Sequence, residues 1–133
     1  MRLLITLIIL ISASFGLHSQ EKEATLKKYD LVSGYEIKEM TIDEVVFSYT
    51  MNTIQDTVKI WTTDPKFTTP EGYKVSTKLK EFPKKLQNQV VKRHDGYRLE
   101  LNSCWYLFFC EGEKCTDQPL TPGSEVKWIQ KNR

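Results

Sequence analysis

Three cysteines and a single histidine beyond residue 19 dominate the chemistry available to this chain. Cys110 and Cys115 flank Glu111-Gly112-Glu113-Lys114, a polar loop short enough to bring the two Cα atoms to the ~5.5 Å that a disulfide prefers. The spacing predicts a Cys110–Cys115 disulfide. Closing so small a loop constrains the unfolded chain by roughly 2 kcal/mol, so its main effect is to fix the loop's shape. Cys104 is then a free thiol, packed as a small apolar residue or bridged to another molecule. A zinc site would need four ligands, and two cysteines with His94 do not supply them. No metal or cofactor is expected.

Catalysis needs proton-exchanging or nucleophilic groups in mutual reach. A Cys104 or Cys110 thiolate with His94 as its base is the one nucleophile–base pair on offer. His94 precedes Asp95-Gly96, a hairpin dipeptide, and is expected in an exposed turn. The carboxylates Asp43 and Glu44, and Glu111 and Glu113, stand in turn-like sequence where charges are solvated. A glycosidase would have to face two of them across a cleft, and the 111–113 loop lacks the oxygen set of a calcium site. The sequence holds no phosphate loop, nucleophile elbow or metalloprotease helix. No catalytic residue is assigned, and an enzymatic role is the lesser reading.

Binding residues are easier to nominate. Between Lys74 and Arg93, Lys74, Lys78, Lys80, Lys84, Lys85, Lys92 and Arg93 face one acid, Glu81. Such a stripe attracts an anionic polysaccharide, a lipid headgroup surface or an acidic protein patch. It also suits a solvated face whose lysine stems cover apolar surface. Trp61 and Trp128, flanked by Lys59 and Lys127, are the aromatic surface candidates. The binding set is therefore Trp61, Lys84, Lys85, Glu111, Glu113 and Trp128. The net charge of +2 and a pI near 8.4 fall below those of a dedicated nucleic-acid binder, so no nucleic acid is expected as partner.

The elements that must position these residues stand behind an N-terminal address. Met1-Arg2, the apolar run Leu3 to Ile11 and small residues to Gly16 form a signal-peptide pattern, its core too short to span a bilayer of roughly 30 Å. Cleavage falls after Gly16 or after Ser19. Residues 1–19 are read as signal peptide, 20–30 as a mobile lead-in and 31–133 as one domain, secreted or periplasmic, with no transmembrane segment in the mature chain. Val45, Phe47, Tyr49 and Met51 alternate with Val46, Ser48 and Thr50, and Thr57 to Thr62 is again β-branched and aromatic. This predicts a hairpin across 52–56. Thr41-Ile42-Asp43-Glu44 competes as a helix capping box.

Leu79, Phe82, Leu86 and Val90 recur at helical spacing and predict an amphipathic helix. Pro83 makes it start near Phe82 or follow a separate turn at 78–81. Tyr97 to Leu101, Trp105 to Cys110 and Glu125 to Gln130 read as strands. The expected class is α+β: an antiparallel sheet of about five strands with one amphipathic helix packed on one face.

The run WTTDPKFTTPEGYKVSTKLKEF from Trp61, followed by GYRLELNSCW, resembles a pattern in small secreted bacterial α+β proteins of unassigned function. In them a strand ends in an Asp-Pro-like turn, a Thr-x-x-Gly-x-x-Val loop leads to a helix, and a hairpin closes the unit. Ser76 stands here where that pattern has glycine. A looser similarity extends to the helix-on-sheet modules of β-lactamase inhibitor proteins and of the SmpA/OmlA lipoproteins, whose lipidation cysteine has no counterpart here. The resemblance carries no site residues across. The functional expectation is a secreted or periplasmic non-catalytic binding domain, an inhibitor or accessory factor of an envelope protein. It would meet another envelope or extracellular protein, or an anionic polymer, through a sheet face and the 110–115 loop. The alternative is a small secreted enzyme of unfamiliar type.

Overall fold

Alternating apolar and polar residues dominate the architecture of this computed structural model, which describes residues 28–30 and 33–132. The strands are β1 (Lys28–Tyr29), β2 (Glu36–Ile42), β3 (Val45–Met51), β4 (Thr57–Thr62), β5 (Val91–Arg93), β6 (Gly96–Glu100), β7 (Tyr106–Phe109) and β8 (Val126–Asn132). All pair antiparallel in one sheet of order β1-β2-β3-β4-β8-β7-β6-β5. Two four-strand meanders thus meet where the last strand, β8, inserts beside β4. The signal-peptide reading of residues 1–19 lies outside the described residues. Of the segment 20–30, residues 28–30 are described, and Lys28 and Tyr29 pair with Ile37 and Glu36.

Register sorts the residues into two faces. Thr62, Ile129, Leu107 and Leu99 stand in one cross-strand row on β4, β8, β7 and β6, and all four are buried. This face receives the long 63–90 connection, whose Phe82 joins the buried core and whose Tyr73, Val75, Leu79, Leu86 and Val90 pack against it. Phe82 sits 4.4 Å from the Tyr73 ring and 6.0 Å from Phe109, ring centre to centre. Farther along, Phe67 bridges Phe47 at 5.2 Å and Trp105 at 4.9 Å.

The connection is also pinned by backbone: Ser76 N–H donates to Val126 O at 2.8 Å, and Val126 N–H to Thr77 O at 2.9 Å. Ser76 holds φ 79, the left-handed region that favours glycine. The residue at the position where the resembled pattern has glycine therefore adopts the backbone that glycine would ease.

The expected α+β class with an amphipathic helix is corrected to an all-β sheet. The apolar positions Leu79, Phe82, Leu86 and Val90 do turn inward, but the backbone carrying them is a 3-10 turn at Leu79–Glu81 and a single helical turn, α1, at Lys84–Gln87. Pro83 is the reason. Its ring drives the preceding residue out of the helical region, and Phe82 accordingly sits at φ −83, ψ 151. The hairpin across 52–56 forms as expected between β3 and β4. The capping-box alternative gives way to a tight turn, with Asp43 at φ 49 and Glu44 at φ 67, that joins β2 to β3.

Candidate functional site: an aromatic cleft on the open face

The face opposite the 63–90 connection is built from the other half of each alternation. Trp61 on β4 stands opposite Gln130 on β8. Trp128, two residues back along β8, shares that face, so the two indoles are diagonal neighbours on adjacent strands, roughly 7–8 Å apart at Cα. Trp128 is backed by Phe108, the rings stacked at 4.7 Å and 10°, and Phe108 is buried. That backing fixes one side of the Trp128 ring and leaves the other toward the open face.

The open face is concave. Lys59 Nζ on β4 lies 2.8 Å from Asp30 Oδ2, just past β1. On a flat sheet β1 and β4 stand about 14 Å apart, three strand spacings, beyond a lysine's reach. The contact requires the sheet to curl so that Asp30 comes over β4. A cleft of about 550 Å³ results, lined by Tyr29, Asp30, Ile37, Lys59, Trp61, Thr63, Asp95, Trp128 and Gln130. Lys59 Nζ also lies 4.7 Å from the centre of the Trp61 ring. Among the described residues the lining carries two carboxylates and one ammonium, and the ammonium is already paired.

Next to the lining residue Thr63 stands a polar node. The Asp64 carboxylate accepts the N–H of Lys66 at 3.0 Å and of Val46 at 3.2 Å, and Thr62 Oγ1 donates to Val46 O at 2.7 Å. These two backbone donors hold the Asp64 carboxyl below the usual carboxylate range, aided by the Lys66 charge and opposed by partial burial.

The nominated binding residues fall in three places. Trp61 and Trp128 meet in the cleft. Lys84 and Lys85 are exposed on α1, on the other side of the sheet. Cys110 and Cys115 form the expected disulfide, and their loop contributes nothing to the cleft lining. Within that loop Glu111 accepts a 2.6 Å hydrogen bond from the buried Ser124 hydroxyl, while Glu113 is exposed. That hydrogen bond ties Glu111 to the 121–124 turn. Cys104, expected to pack inside, is exposed in the β6–β7 turn at φ 68.

His94 sits in the β5–β6 turn, at the opposite end of β6 from Cys104, so roughly 13 Å of strand separates the two turns and they make no catalytic pair. Among the described residues, no group of three or more His, Cys, Asp or Glu gathers to hold a metal. Sequence reasoning missed Tyr29, Asp30, Ile37, Thr63, Asp95 and Gln130. The one usable signal was the i, i+2 spacing of Lys59 with Trp61 and of Trp128 with Gln130, which places each pair on one face.

The molecule is thus defined by a curled antiparallel sheet of two joined meanders with an aromatic cleft on its open face. The same fold occurs in the crystal structure of the uncharacterized protein yfeY from Escherichia coli, with a TM-score of 0.56, 13% sequence identity, and coverage of 81% of this chain and 80% of that one. No family model matches the chain, and comparison with curated proteins gives no match either.

Proposed function

We propose that the chain is an exported, non-catalytic binding domain whose ligand site is the open-face cleft. The observation that carries this reading is the convergence of Trp61 and Trp128, with Tyr29, in a concavity whose size suits a small ligand or one protruding group of a larger one. Indole rings offer wide, rigid contact area at little entropic cost. Export is supported by the signal pattern at residues 1–19 and by the Cys110–Cys115 disulfide, a bond that persists in oxidising compartments. Among the described residues, no helix is long and apolar enough to cross a membrane. The ligand is then a group displayed by another envelope or extracellular component, and the domain acts as that component's inhibitor or accessory factor. Lys84 and Lys85 remain available on the other side for contact with an acidic protein or polymer.

The test is ligand-observed NMR of the purified protein against a panel of small sugars, amines and short peptides, repeated with Trp61→Leu and Trp128→Leu. A bound compound lost in both variants is the expected result. Binding indifferent to both substitutions would overturn the site, and chemical conversion of a panel compound over time would overturn the non-catalytic reading.

A further inference from the structure

Resting on the cleft reading, we infer that its ligand carries a small organic cation, a methylated ammonium group. Three aromatic side chains, Tyr29, Trp61 and Trp128, line the cavity together with the carboxylates of Asp30 and Asp95. Aromatic faces attract cations through their quadrupole, and methylated ammonium ions gain most because they are cheap to desolvate. The cleft already contains one instance of this pairing. The Lys59 ammonium lies 4.7 Å from the Trp61 ring centre while Asp30 holds it at 2.8 Å.

The charge balance points the same way. Among the described lining residues, Lys59 is paired with Asp30, and no described cation lies within ion-pair distance of Asp95, so the described lining sums to one negative charge. A second anion, such as the acidic polymer suited to the lysine stripe on the far side, would meet an unfavourable field here. A cation completes it. Trp128 adds a ring whose back is occupied by Phe108, so its free side is presented without rearrangement.

The probe is choline, compared by isothermal titration with 3,3-dimethylbutan-1-ol, its neutral carbon isostere. The expected result is saturable choline binding, tighter than that of the isostere by roughly 2- to 30-fold, the range that a cation over an aromatic face supplies. Asp95→Asn, an exposed turn substitution that leaves the core untouched, should weaken choline and leave the isostere unchanged. Equal affinity for choline and isostere, or choline affinity indifferent to Asp95→Asn, would overturn the inference. If choline fails while a neutral panel compound binds in a manner sensitive to Trp61→Leu, the cation falls and the cleft stands. If no compound binds, both fall.

Discussion

Replacing Gly96 with alanine tests how the fold and the cleft depend on one backbone position. Gly96 opens β6 at φ 153, a conformation that side chains rarely adopt. A Cβ built there would lie 2.8 Å from the carbonyl oxygen of Phe109, 3.4 Å from Trp128 Cη2 and 3.8 Å from Phe108 Cδ1. The first contact is with backbone in the β6–β7 ladder, where Tyr97 pairs with Phe109, so it cannot yield without disturbing that pairing. Backbone strain of about 1–3 kcal/mol and overpacking of similar size combine to about 2–6 kcal/mol, a large part of the roughly 5–15 kcal/mol that holds a domain folded. In urea, with a slope of ~2 kcal/mol per molar, the unfolding midpoint of Gly96→Ala should fall by about 1 to 3 M. Tryptophan fluorescence reads the transition and also reports Trp128, which the new methyl would displace. A midpoint shift below about 0.3 M at unchanged slope would refute the close packing of β6 against Phe109 and Trp128.

Three further outcomes are expected. Cys110→Ser combined with Cys115→Ser should cost about 2 kcal/mol in denaturant unfolding, the entropy of a short closed loop, while ligand binding in the cleft is unchanged. Ser76→Gly should raise stability by about 0.5–1 kcal/mol, because it relieves a left-handed backbone at φ 79; a loss in thermal unfolding would contradict that origin. The lowered Asp64 pKa means that its two backbone bonds contribute fully above about pH 4 and fade as pH falls through the folded-state value. Asp64→Asn should therefore lower the melting temperature at pH 6 by more than it does at acid pH below the folded-state value, and an equal loss at every pH would exclude the charge as the cause.

The fold was legible in the sequence wherever its signals are local. The β3–β4 hairpin was readable because Val45, Phe47, Tyr49 and Met51 alternate strictly, and the three C-terminal strands because aromatic and β-branched residues crowd them. Strand β2, EIKEMTI, was not. It is mostly exposed, its outer edge meets only two residues of β1, and its turn uses Asp43-Glu44 in place of the glycine-containing pairs that announce a hairpin. The missing helix has a different cause. The inward positions at 79, 82, 86 and 90 were right, but they serve packing onto a sheet, and Pro83 forbids the continuous helix that the spacing implied. In the cleft, Trp61 and Trp128 were separately recognisable as surface aromatics. Their adjacency depends on β8 returning beside β4, a long-range pairing that no local pattern encodes. Asp30 enters through the curl of the sheet, and Asp95 through a turn that the β6–β7–β8 pairing brings beside Trp128.

The cleft itself can be tested through its indoles. The chain has three tryptophans. Trp61 and Trp128 line the cleft, whereas Trp105 packs on the covered face against Phe67 and Phe47, with Lys131 over it. A two-dimensional NMR titration of the labelled protein with the sugar, amine and peptide panel follows all three indole N–H signals at once. The account predicts that a binding compound moves the Trp61 and Trp128 signals together and leaves Trp105 in place. Movement of Trp105, or of the 110–115 loop with both cleft indoles unmoved, would contradict it.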